Sequence, residues 1–106
     1  MTDADPHAGQ GLVSAGAPRG AAEAVVVALH GRGATAQGVV NLAEPLAHHG
    51  VAVVAPAAER SRWFPHAASG PIERNEPHVS SAVRAVDGVL DDVSEWGLGP
   101  ERVVLF

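Results

Sequence analysis

Apolar residues follow two rhythms along this chain. In Ala24–His30, read AVVVALH, they are β-branched and continuous, and a Gly-Arg-Gly turn closes the run. VAVVAP at Val51–Pro56 repeats the pattern, and RVVLF at Arg102–Phe106 gives it a third time. Short unbroken runs of this kind mark strands buried on both faces, as in a parallel sheet covered by helices on each side. Between the first two runs, Thr35 stands where a helix N-cap belongs. Val39, Leu42 and Leu46 then fall on one helical face, and Gly50 ends the segment. Pro45 predicts a kink or an early end near Glu44. Between the second and third runs, Val79, Val83, Val86, Leu90 and Val93 recur at steps of four and three. They predict an amphipathic helix from about Pro77 to Trp96, capped by Asn75 or Glu76 and ended by Gly97.

The order is βαβαβ, with crossovers long enough for parallel pairing. The fold class expected is α/β, a three-layer parallel sheet spanning residues 24–106. Residues 1–23, rich in Gly, Ala, Pro and acids, carry only the apolar pair Leu12 and Val13, and are expected to be flexible or to supply edge strands. The loop from Ala57 to Pro77 is longer than connections in compact domains usually are, which marks it as functional or mobile. An inner strand needs a neighbour on each edge, so RVVLF followed by nothing reads as a sheet that has been cut.

Composition narrows the function classes. Hydrophobic residues make up 46% and charged residues 18% of 106, too apolar for a disordered chain. The net charge of −5 comes without any basic cluster, which argues against nucleic acid as a partner. With no cysteine there is neither disulfide framework nor Cys-based metal site, and the acidic, polar start lacks the features of a signal peptide. No apolar run reaches membrane-spanning length, so a cytoplasmic protein is expected. His48 and His49 are adjacent, hence about 100° apart on a helix and poorly placed to share a metal. His66 and His78 have no ligand partner at suitable spacing, and no metal or other cofactor is expected.

Candidate chemistry concentrates in LHGRGAT, where a buried strand gives way to a helix. Ligands of open α/β sheets bind beyond the carboxyl ends of the strands, so this turn lies at the functional edge. In one reading, His30, Gly31 and Gly33 shape a turn that aims the Arg32 backbone N–H at a substrate carbonyl oxygen, half of an oxyanion hole. In another, GRGATA is a dinucleotide fingerprint holding a pyrophosphate at the helix N-terminus. That fingerprint expects an acid at the end of the next strand, which instead ends Val54, Ala55, Pro56, with Glu59 inside the loop beyond. A glycine-rich turn without a ligand is the third reading.

VVVALHGRGATAQ, VAVVAP, SRWFP, PIERNEP and ERVVLF, in this order and spacing, resemble the first half of the bacterial phospholipase/carboxylesterase family of α/β hydrolases, which includes the acyl-protein thioesterases. The resemblance covers roughly residues 24–106. It implies the N-terminal half of an α/β-hydrolase fold, with the strand at Val51 and the one at Arg102 flanking the one at Ala24. It also implies hydrolysis of carboxylic esters or thioesters by a serine that His and Asp activate, with no cofactor. Trp63 and Phe64 match an aromatic pair near the acyl pocket and become candidate substrate walls.

The nucleophile elbow G-x-S-x-G is implied just after RVVLF, and no such motif is present. Ser14 has Gly16 behind it but Leu12 in front, and Ser61, Ser69, Ser80, Ser81 and Ser94 lack flanking glycines. The 106-residue chain is therefore expected to be inactive alone. A non-catalytic module that pairs with a second half, or self-association through the strand at 102–106, are the other expectations.

Overall fold

The structure is a computed structural model and describes residues 4–46, 50–67 and 69–106. Four strands form one sheet: β1 (Leu12–Gly16), β2 (Ala24–Val27), β3 (Val51–Pro56) and β4 (Val103–Leu105), in the order β1-β3-β2-β4. β2 pairs in parallel with β3, Ala24 opposite Val51, and with β4, Val25 opposite Val103. β1 closes the other edge antiparallel to β3, Leu12 opposite Pro56. The sheet is mostly parallel, with the strands that begin near Val51 and Arg102 flanking the one at Ala24.

Strand side chains alternate between faces, and that alternation separates two cores. Val26, Ala28, Val53 and Ala55 pack against helix α1 (Ala36–Ala43), while Val25, Val27, Ala52 and Val54 pack against helix α2 (His78–Glu95). Each fully buried valine contributes about 1.5 kcal/mol of apolar burial, so β2 and β3 anchor the fold. Three layers result, with the sheet in the middle.

Each helix buries only part of the face that its sequence pattern marks. α1 buries Ala36, Val39, Val40 and Ala43, a stripe of small residues that lets it lie close on β3, and Leu42 points outward at 70% exposure. Leu46 belongs to a single 3₁₀ turn, Glu44–Leu46, which contains Pro45 and follows the end of the α-helix at Ala43. In α2 the buried residues are Ser81, Val89 and Val93. Val83 is exposed, and Leu90 lies beside Leu98, Val103 and Leu105 along an apolar cleft next to β4. The apolar arc of α2 is therefore shared between the sheet and that cleft.

The helix ends follow local chemistry. The Thr35 hydroxyl accepts the Gly38 N–H at 3.0 Å, a cap whose loss costs about 1 kcal/mol. At the start of α2 the Glu76 carboxylate accepts the Ser80 N–H and hydroxyl, which hold its pKa below the ordinary range, the hydroxyl foremost. Asn75 does not cap this helix; it is buried and turned toward the preceding loop. Gly97, at φ 86°, ends α2 in the left-handed conformation. His48 and His49 lie outside the described residues. No described helix is long and apolar enough to cross a membrane.

Candidate functional site

β2 and β3 run in parallel, so the segments that follow them emerge side by side at the same edge of the sheet. His30, just beyond β2, ties the two together. It is 3% exposed, and its Nε2 accepts the Ala58 N–H at 3.0 Å. A backbone N–H can only donate, so Nε2 carries the lone pair and Nδ1 carries the hydrogen, which it donates to the Gly31 carbonyl at 2.9 Å. The imidazole is thus neutral and committed at both nitrogens. It shapes the turn and is not free to act as a base.

The turn itself is a short one, with Ala34 N–H donating to the Gly31 carbonyl at 3.1 Å and Gly33 N–H donating to the Ser61 carbonyl at 2.8 Å. Gly33 sits at φ 78°, where a side chain would be strained. Among the described residues, the Arg32 amide donates to nothing, and Arg32 is exposed. An unpaired N–H therefore stands at the carboxyl end of the sheet, followed by two amides, those of Gly33 and Ala34, already in use.

The loop after β3 forms the opposite wall. Arg60 and Ser61 both adopt left-handed backbone, at φ 52° and 58°, which costs about 1 kcal/mol or more per residue unless the surroundings hold it. Several bonds hold it here. The Trp63 indole N–H donates to the His30 carbonyl at 3.1 Å, and its ring lies 5.5 Å from the His30 ring at 30°. The Arg32 guanidinium donates to the carbonyls of Phe64, at 2.9 Å, and His66, at 3.2 Å. The buried Asn75 accepts the His66 N–H at 2.7 Å.

Between the two walls lies an open groove of about 470 Å³ lined by His30, Gly31, Arg32, Trp63, Phe64 and His66. Five of the six residues singled out in the sequence meet there; Gly33, within the turn, does not line the groove and is tied to the Ser61 carbonyl. Trp63 both walls the groove and anchors the loop. Three contributors had no sequence signal: the Arg32 side chain as a clasp across the groove, Asn75 as a loop anchor, and His7. The His7 ring packs on Trp63 at 4.9 Å, and its nitrogens contact the Glu59 N–H and the Trp63 carbonyl.

Ser81, Asp5 and His7 also meet, but not as a catalytic triad. The buried Ser81 hydroxyl donates to the Asp5 carboxylate and accepts the His7 backbone N–H, leaving the imidazole out of reach. The Ser81 bond above all holds Asp5 below the usual carboxylate range; burial opposes it, and Arg84 adds to the lowering. His78 is different: among the described residues its buried Nδ1 has no partner, and burial above all pushes its pKa below the ordinary 6.5. Among the described residues no group of His, Asp or Glu is arranged to hold a metal ion.

Two outcomes are expected. Arg32→Ala keeps the backbone amide but opens the clasp, costing about 1 kcal/mol and raising proteolytic cleavage within residues 62–67 in limited digestion. Because the folded pKa of His78 is depressed, its neutral form favours folding; that contribution is full above pH 6.5 and is lost as pH falls through the folded value. His78→Phe should therefore melt higher than the parent at pH 5.5, with the gap narrowing at pH 8. A gap independent of pH would contradict the assignment.

No protein-family model matches the chain, and no curated protein matches it. Solved structures do. A phospholipase/carboxylesterase from Dyadobacter fermentans superposes with a TM-score of 0.84 at 28% identity, covering 99% of this chain and 48% of that one. Esterase PE8 superposes with a TM-score of 0.68 at 26% identity, covering 88% of this chain and 49% of that one. The chain spans about half the length of each. In fold and in sequence it is similar to a phospholipase/carboxylesterase and an esterase, as the N-terminal half of an α/β hydrolase is.

Proposed function

We propose that this chain supplies the oxyanion turn and acyl-groove wall of a hydrolase acting on small carboxylic esters or thioesters. The observation that carries the reading is the unpaired Arg32 amide beside a groove walled by Trp63 and Phe64, at the carboxyl edge of the sheet. An N–H aimed at the forming oxyanion stabilises the tetrahedral intermediate of acyl transfer, and aromatic walls bury the acyl chain. The neutral His30 holds the turn without adding charge. The structural likeness to two esterases supports the same chemistry. The attacking serine, its histidine and its aspartate are not supplied by these 106 residues: Ser81 is buried and bonded to Asp5, and no serine carries the flanking glycines of an elbow.

Three outcomes test the proposal. The purified 106-residue chain should not hydrolyse p-nitrophenyl butyrate above the buffer rate, since nucleophile and base account for most of such catalysis. In a titration with n-butylphosphonate, an oxyanion mimic, the Arg32 amide proton should move downfield while the internally bonded Gly33 and Ala34 amides stay in place. Robust turnover, or a titration in which Arg32 does not move, defeats the reading. The third outcome concerns β4, whose Val104 and Leu105 are each 59% exposed along an open edge. We propose that this edge self-associates, and Val104→Lys should shift light-scattering mass toward the monomer.

A further inference from the structure

Residues 4–9 precede every strand and have the composition of a loose end, yet His7 is among the most buried polar residues of the protein, at 3% exposure. Its backbone N–H and both of its ring nitrogens are in use. Its backbone N–H donates to Ser81 Oγ at 2.9 Å, its Nδ1 accepts the Glu59 N–H at 3.1 Å, and its Nε2 lies 2.9 Å from the Trp63 carbonyl. The Glu59 N–H can only donate, so the ring hydrogen is on Nε2 and is given to Trp63. One neutral imidazole thereby grips both ends of the turn from Glu59 to Trp63, the turn that contains left-handed Arg60 and Ser61. The strap before it is fastened to α2, where Asp5 bonds Ser81 and lies 3.5 Å from the Arg84 guanidinium, which also donates to the Ala4 carbonyl.

Two connections run from that turn to the candidate oxyanion turn. Ser61, in its middle, accepts the Gly33 N–H through its carbonyl, and Trp63, at its end, donates its indole N–H to the His30 carbonyl. His7 itself does not line the groove. We infer that the N-terminal segment is a strap and that His7 is the positioning residue of the groove, setting Trp63 directly and the Gly31–Gly33 turn through Ser61 and Trp63. The role in catalysis rests on the proposed oxyanion function; the mechanical coupling does not.

The test uses the full chain with Trp96→Phe, so that Trp63 is the sole indole, and compares His7→Ala, His7→Asn and His7→Gln. Asn keeps an acceptor where Nδ1 lies, and Gln keeps a donor where Nε2 lies. In His7→Ala, Trp63 emission should move to the red with stronger acrylamide quenching. Hydrogen exchange in residues 29–34 and 58–64 should rise by about tenfold or more, while β3 keeps its protection. His7→Gln should return Trp63 emission toward that of the parent, and His7→Asn should restore protection at Glu59 without doing so. Unchanged emission and exchange in His7→Ala, or protection lost equally in β3 and the two loops, overturns the inference. Exchange is read without ligand, so a failed phosphonate titration alongside intact coupling sinks only the oxyanion reading.

Discussion

A single hydrogen bond, from the Ala58 amide to His30 Nε2, organises the carboxyl edge of this sheet. Parallel pairing of β2 and β3 brings two loops next to each other but does not fix how they meet. The bond does so, because an amide hydrogen aimed at Nε2 dictates the tautomer, and the tautomer places the remaining ring hydrogen on the Gly31 carbonyl. Once Gly31 is held, the turn to Gly33 has few ways to close, and the His30 carbonyl is left to receive the Trp63 indole. An imidazolium could not accept from Ala58 and would sit as an uncompensated buried charge. Neutrality of this histidine is thus part of the architecture and not a feature of proton transfer.

The strands that make the sheet were legible because burial on both faces leaves an unbroken β-branched run, and β2 and β3 carry it. β1 was barely legible. Its sequence, LVSAG, turns Val13 and Ala15 toward the core and leaves Leu12 and Ser14 outside, so its apolar content is thin. The helix ends follow the sequence, and the faces follow it in part: Val39 and Val93 are buried and Leu90 packs on the core, while Leu42 and Val83 are exposed. Periodicity ranks large residues first, whereas α1 meets the sheet through Ala36 and Ala43, and Leu42 is left outside.

At the site, the backbone turn and its aromatic wall could be read from short motifs, but their fasteners could not. His7 bonds residues 52, 56 and 74 positions away, and the Arg32 guanidinium reaches across 32 and 34 positions. Asn75 looked like a helix cap because Asn before a helix usually is one. Its amide instead satisfies a loop that folds back over it. Such contacts have no local period; they follow from which buried backbone groups lack a partner once the sheet has formed.

That last condition explains why the site is fastened by polar side chains. The valine-rich layers hold β2 and β3 rigid but end where the strands end, and the two loops beyond them have few apolar residues to pack. Their backbone groups must be satisfied one by one, and His7, His30, Arg32 and Asn75 do this through bonds directed at specific carbonyls and amides. Directed bonds hold position more narrowly than apolar contact, which is non-directional. On the proposed function, an N–H that meets a charge existing only in a transition state requires such narrow placement. In the two walls the Gly33 and Ala34 amides and the Arg32 guanidinium are paired inward, while the Arg32 amide has no partner among the described residues.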